Sequence, residues 1–294
     1  MALKVRPGGE QFELKLGAQR AVVTEVGATL REYTVDERPI IEGFAEDEIC
    51  PGARGQVLMP WPNRIADGVY RFADIAEQAP INDLGQQTAI HGLVRWLPWT
   101  PRQHTDDRVR LETRLHGQPG YAWTLDLAVE YRLRSEGLEV TLAAANLSSG
   151  WAPFGAGCHP YLAAPGGRVD DSELEIPADE YLDVDERLIP TGRRLPVTGS
   201  PLDFRSPRQV GETVLDNCFV ATARQASFAG TTIWWGPEFG YLQAFTGDTL
   251  SSEARRRSLA LEPMTCPPNA FQSGEGLIAL EPEAVWRGTW GISP

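Results

Sequence analysis

The chain has 294 residues and a formal net charge of −13, from 27 Lys plus Arg against 40 Asp plus Glu. Nucleic acid and anionic membranes select basic surfaces, so this balance excludes both as main partners, while leaving room for a small anion held by one or two arginines. No apolar run is long enough to span a bilayer, and residues 8–11 interrupt the apolar stretch that a secretory leader needs, so a cytoplasmic location is expected.

In chain order, short strands are expected at residues 21–26 and 30–35, split by Gly27. Pro60-Trp61-Pro62-Asn63-Arg64-Ile65-Ala66-Asp67-Gly68 follows, with two prolines that stiffen the approach to Asn63 and Arg64. A ring, an amide and a guanidinium on a rigid loop suit the hydroxyls of a sugar; the plainer alternative is a turn with Arg64 in a structural ion pair. Next comes Ile90-His91-Gly92-Leu93-Val94-Arg95, with Trp96 and Trp99 behind it.

The middle of the chain alternates with period two. Val109, Leu111, Thr113 and Leu115 interleave with Arg108, Arg110, Glu112 and Arg114. Beyond a turn at Gly117-Gln118-Pro119-Gly120, Trp123, Leu125, Leu127, Val129, Tyr131 and Leu133 interleave with Thr124, Asp126, Ala128, Glu130 and Arg132. After Ser135-Glu136-Gly137, the residues Leu138, Val140, Leu142 and Ala144 share a face. Such alternation predicts half-buried strands in an antiparallel meander. No segment carries an amphipathic helical stripe of ten residues, and 29 Gly and 23 Pro recur along the chain. The expectation is an all-β chain, one domain over residues 1–294, with two large sheets face to face.

Of four histidines, His104 and His116 sit among charged residues near turns and are expected at the surface. His91 and His159, the latter in Gly157-Cys158-His159-Pro160-Tyr161, sit between apolar residues and glycine and are expected to be partly buried. Buried histidines are often structural, but histidine is also the usual proton carrier near neutral pH. If Ser258 to Glu262 form a strand, Glu262 stands with Ser258 and Ala260 on a face of small side chains, where burial raises a carboxyl pKa. Asp216 lies inside the apolar stretch Val214-Leu215-Asp216-Asn217-Cys218-Phe219 and needs a fixed hydrogen-bond partner. Cys50, Cys158, Cys218 and Cys266 show no C-x-x-C spacing and read as reduced, mostly buried thiols. Neither a zinc spacing nor a Gly-rich phosphate loop is present, so no metal and no organic cofactor is expected.

Taken together and in order, these pieces resemble the aldose 1-epimerase (galactose mutarotase) family, in a shorter bacterial form. They are Pro62-Asn63-Arg64-Ile65 with Gly68-Val69-Tyr70, His91-Gly92-Leu93-Val94-Arg95, Gly157-Cys158-His159-Pro160-Tyr161, Asp216 with Phe219, and Glu262-Pro263-Met264-Thr265. Gly27-Ala28-Thr29-Leu30 and Trp290-Gly291-Ile292 match the ends, so the resemblance covers nearly the whole chain. It implies a large antiparallel β-sandwich, the galactose mutarotase-like supersandwich, with an open sugar cleft, acting as monomer or homodimer on a monosaccharide.

The resemblance also implies roles. Glu262 is the general base and His159 the general acid; His91 contacts the sugar near its ring oxygen; Arg64, Asn63 and Asp216 hold hydroxyls. Acid and base are then expected on different sides of one small ligand. By their chemistry Trp61, Trp96, Trp234 and Trp235 are candidates for stacking on the apolar face of the sugar, with most of them expected in the core. Three alternatives stay open. An anionic aldose (a hexose 6-phosphate or a sulfo-sugar) would need a further cation, for which Arg95 or the Arg255-Arg256-Arg257 run is available. A carbohydrate-binding protein would use the cleft without catalysis. A glycosidase would use Glu262 and Asp216 as its two carboxylates.

Overall fold

A computed structural model describes residues 5–294. Met1–Lys4 lie outside it, so the reading of the chain start as leaderless falls partly outside the described residues. The three alternating segments form the strands Arg108–Leu115, Leu125–Arg134 and Gly137–Asn146, paired antiparallel in that order. In Leu125–Arg134 the side chains of Leu125, Leu127, Val129, Tyr131 and Leu133 are all buried, whereas Asp126, Glu130, Arg132 and Arg134 are partly exposed. The alternation is therefore the physical division between a core face and a solvent face. Trp123 is buried as expected but precedes the strand.

These strands belong to a nine-stranded sheet that continues through Val285–Ser293, Thr231–Trp235, Gln225–Phe228, Glu173–Glu175 and Arg208–Gln209. A four-stranded sheet at the start of the chain includes Gln19–Thr24 and Leu30–Val35. The second large sheet has eight strands: Pro190–Pro196, Glu180–Val184, Asp216–Val220, Tyr241–Phe245, Ser258–Met264, Gly157–Cys158 and Val57–Leu58 in order, with Tyr161–Ala163 also on Ser258–Met264. Two large sheets are present as expected, and four smaller ones join them. One continuous core includes Val23, Leu30, Val109, Leu127, Val140, Ile233, Leu242, Leu261 and Trp290, drawn from all three larger sheets. Each fully buried Leu, Ile or Val contributes about 1.5–3 kcal/mol against exposure. The one α-helix among the described residues is the single turn Ala270–Ser273. No described helix is long and apolar enough to cross a membrane.

Ser258–Met264 departs from the alternation seen elsewhere. All seven residues are buried, because this strand is central in its sheet and covered on both faces. That is the environment that surrounds Glu262.

Candidate functional site

The eight-stranded sheet builds the site by register. Gly157 opposes Met264 and Tyr161 opposes Ala260, so the same register puts His159 across from Glu262. Pro160 has no N–H to add to the ladder there, and its carbonyl accepts from Leu261 N at 3.3 Å. On the other side, Gln243 is paired with Glu262, and Cys218 with Gln243. Directly opposed residues share a face. Asp216, two residues from Cys218, has the same side-chain direction, so His159, Glu262, Gln243 and Asp216 all stand on one face of the sheet. Gln243 Nε2 donates to Asp216 Oδ1 at 2.7 Å.

A second unit brings in the remaining residues. The strand Arg64–Ala66 pairs with Thr88–Ile90, with Arg64 opposite Ile90, and His91 N donates to Asn63 O at 2.9 Å. Asn63 and His91 both have left-handed backbone, φ +52° and +65°, so the chain turns sharply at each and aims both at the cavity. Gly92 follows at φ +69°; a Cβ there would sit 2.0 Å from Met59 O, so only glycine fits. Asn63 Oδ1 accepts from Arg64 N at 2.9 Å and from the Arg64 guanidinium at 3.3 Å. Arg64 also approaches Asp83 at 3.4 Å and Asp216 at 3.9 Å. Its structural ion pair and its place in the cavity wall coexist.

The two units meet around a cavity of about 430 Å³ lined by Asn63, Arg64, His91, His159, Asp216 and Glu262, which brings every predicted site residue together. Small-molecule sites commonly have about 300–1,000 Å³. His159 Nε2 lies 3.3 Å from Glu262 Oε1, and the His91 ring meets the His159 ring edge-on at 5.2 Å. Tyr161 stacks on His159 at 4.8 Å and donates its hydroxyl proton to Gly52 O at 2.9 Å. Expected to face each other across a ligand, Glu262 and His159 instead stand side by side, because the register makes them neighbours.

Burial governs the charges. Glu262 is 2% exposed and its carboxyl is pushed well above the carboxylate range, by loss of hydration and then by the Asp216 charge, with Arg64 opposing. Burial also brings His159 down to about 3, helped by the Arg95 charge. His91 goes down by burial and then by His159 and Arg95. Asp216 goes up by burial, opposed by Arg64 and by the Gln243 hydrogen bond. Burial therefore favours the uncharged pair, with the proton on Glu262 rather than on His159. Glu262 Oε2, His159 Nδ1, His91 Nδ1 and Gln243 Oε1 are buried without a hydrogen-bond partner among the described residues. Four such atoms around one cavity are donors and acceptors available to a polar ligand, and their isolation costs stability when none is bound.

Other expectations divide. His104 and His116 are exposed, and Cys158, Cys218 and Cys266 are buried free thiols. Of the four tryptophans proposed for stacking, only Trp96 lines the cavity, at its exposed rim. Trp61 is core, edge-on to Phe271, and Trp234 and Trp235 lie in the nine-stranded sheet. Gln243 and Asp83 were not anticipated. A signal for Gln243 exists in the sequence: one amide within the apolar strand Tyr241–Phe245. Asp83 has none, because its turn gives no periodicity.

A family model described as aldose 1-epimerase matches residues 10–293. The uncharacterised protein YihR of Escherichia coli (strain K12) is 33% identical over 287 residues, covering 93% of this chain and 89% of that protein. Human galactose mutarotase is 30% identical over 221 residues, 70% of this chain; the match spans only 64% of the human enzyme. Among solved structures, the GalM/aldose epimerase homologue from C. elegans superposes with a TM-score of 0.85 at 19% identity, over 97% of this chain and 98% of that one. At that identity the likeness establishes the fold.

Proposed function

Because this chain belongs to the aldose 1-epimerase family, a family of isomerases, we propose that it interconverts the α and β anomers of a free aldose, with Glu262 and His159 exchanging the protons. The carrying observation is the 3.3 Å contact between Glu262 and His159 inside a buried polar cavity. Mutarotation moves two protons on oxygens borne by the same carbon: the hydroxyl O1 and the ring oxygen O5, both on C1. An acid and a base held side by side match two geminal oxygens.

Ring opening starts from the form with the shared proton on His159. Glu262 carboxylate takes the O1 proton as the O1 electrons form the C1 carbonyl. The C1–O5 bond breaks, and its electron pair on O5 takes the His159 proton. The pair is left with its proton on Glu262, the form that burial favours. Rotation about C1–C2 presents the other face of the aldehyde, and the reverse transfers close the ring as the other anomer. Each well-placed proton transfer contributes about 10²- to 10⁴-fold. No step needs a metal or an organic cofactor.

The other residues orient the sugar. His91, neutral, and Gln243 Oε1 accept from hydroxyls; Asp216, Arg64 and Asn63 hold the remainder; Trp96 offers a ring at the rim. The protein acts as one domain in the cytoplasm, as monomer or homodimer, on a monosaccharide. Polarimetry of freshly dissolved α-D-glucose and α-D-galactose tests the reading. Acceleration that Glu262→Gln abolishes supports it; tight sugar binding without acceleration would replace it by a non-catalytic binding role.

A further inference from the structure

Three arginines act electrostatically on His159: Arg95, Arg54 and Arg64. Arg64 is answered by Asp83 and Asp216. The other two are not. Arg95 lines the cavity beside Trp96, and Arg54 lies directly behind, its guanidinium 5.4 Å from the centre of the Tyr161 ring that stacks on His159. Among the described residues neither has a carboxylate within ion-pair distance, and the undescribed Met1–Lys4 hold none. The Arg95 guanidinium donates to the Gln56 side-chain Oε1 at 3.2 Å, and the Nε atoms of both Arg54 and Arg95 are buried without partners among the described residues. In a chain of net charge −13, a buried Arg54 and a half-buried Arg95 beside one cavity, both without a counterion among the described residues, are exceptional.

The alternative cation source is already occupied. Arg256 binds Asp170 and Asp248 together with the Gly211 and Thr213 carbonyls, Arg255 approaches Asp248, and Arg257 approaches Glu42. That run holds a loop together and has no guanidinium to spare.

We infer that the Arg95–Arg54 end of the cavity is an anion subsite, and that the preferred aldose carries an oxyanion on its exocyclic carbon. The inference rests on the mutarotase reading for its orientation. His159 addresses the ring oxygen O5, whose other neighbour is C5, and C5 bears the exocyclic C6. The side of the cavity behind His159 and Tyr161 is thus where a C6 substituent points, and it is there that the unanswered cations stand. A planar guanidinium binds carboxylate, phosphate or sulfonate oxygens in pairs.

The test compares anomer exchange by NMR, corrected for the uncatalysed rate, for D-glucose, D-glucuronate, D-glucose 6-phosphate and 6-deoxy-6-sulfo-D-glucose. At least one anionic sugar is expected to exceed glucose tenfold or more in kcat/KM, and the fastest identifies which oxyanion the subsite takes. Within Arg95→Met that anionic-to-neutral ratio should fall at least tenfold, and Arg95→Lys should restore part of it; a ratio taken within one variant is insensitive to lost folding. Inorganic sulfate should inhibit the wild type and lose that inhibition in Arg95→Met. Glucose turnover with no anionic preference, or a preference unchanged in Arg95→Met, overturns the subsite and leaves the mutarotase reading standing. Should no sugar be accelerated, the mutarotase reading falls, and thermal-shift titration with the same four sugars, wild type against Arg95→Met, still decides the subsite.

Discussion

Two of the protein's hollows lie over antiparallel sheet, and their charges behave differently. The larger, about 660 Å³, lies on the outer face of the nine-stranded sheet, with Ala128, Ala143 and Ala145 among Arg102, Arg110, Arg114, Glu112 and Asp126. There Arg102, Arg110 and Arg114 are paired with Glu112 or Asp126 at the surface, Arg114 with Asp126 at 2.5 Å and Arg102 with Glu112 at 3.0 Å, while Arg287 is exposed and water screens what remains. The smaller hollow, about 430 Å³, contains the buried Glu262, His159 and His91 with atoms that no described residue satisfies. Size alone would choose the wrong one. The cost that each site imposes on folding points to the right one, since groups held at such a cost are where chemistry is found.

The largest effect that can break this contrast is at Glu262. Glu262→Gln should lower kcat by about 10²- to 10⁴-fold or more, read by polarimetry. The same change should raise thermal stability at neutral pH. A carboxyl whose folded pKa is raised holds a proton that the unfolded chain releases, so its contribution to stability falls as pH rises above the ordinary carboxylate value. Calorimetry should show the gain at pH 7 shrinking toward pH 4. Loss of activity with no such gain would mean that Glu262 is hydrated in solution.

The pH profile is next. The pair works with one proton. Below the lower pKa both groups are protonated and no base remains; above the upper one both are deprotonated and no acid remains. With His159 brought down to about 3 and Glu262 pushed up, the acid limb of kcat/KM should lie well below the ordinary histidine value. An acid limb near 6.5 would break the claim of a desiccated pair.

Gln243→Ala should act more modestly. It removes the donor that holds Asp216 at 2.7 Å and a free acceptor at the cavity, so KM should rise by about tenfold, the scale of one or two hydrogen bonds. The smallest effect sharpens the comparison from the other hollow: Arg114→Ala, at an exposed ion pair, should leave turnover and the unfolding midpoint where they are.

How much was legible in the sequence varies with how local each property is. The strands Arg108–Leu115, Leu125–Arg134 and Gly137–Asn146 could be read because alternation is written into consecutive residues. His91 and His159 could be separated from His104 and His116 by their neighbours. Asn63, Arg64, Asp216 and Glu262 were legible as ordered motifs, and they do converge on one cavity. Gln243 was visible only as an unexplained amide, and Arg54 and Asp83 not at all, because each acts on a partner far along the chain.

The sequence by itself determined an all-β fold, through local patterning, and, through the order of its motifs, that Asn63, Arg64, His91, His159, Asp216 and Glu262 belong to one site. Only the tertiary structure decided that Glu262 and His159 touch, that the Arg255–Arg257 run is engaged in ion pairs, and that Arg54 and Arg95 have no counterion among the described residues. Those outcomes depend on strand register and on which groups are removed from water together. Neither is a property of any one segment; both arise when distant segments pack.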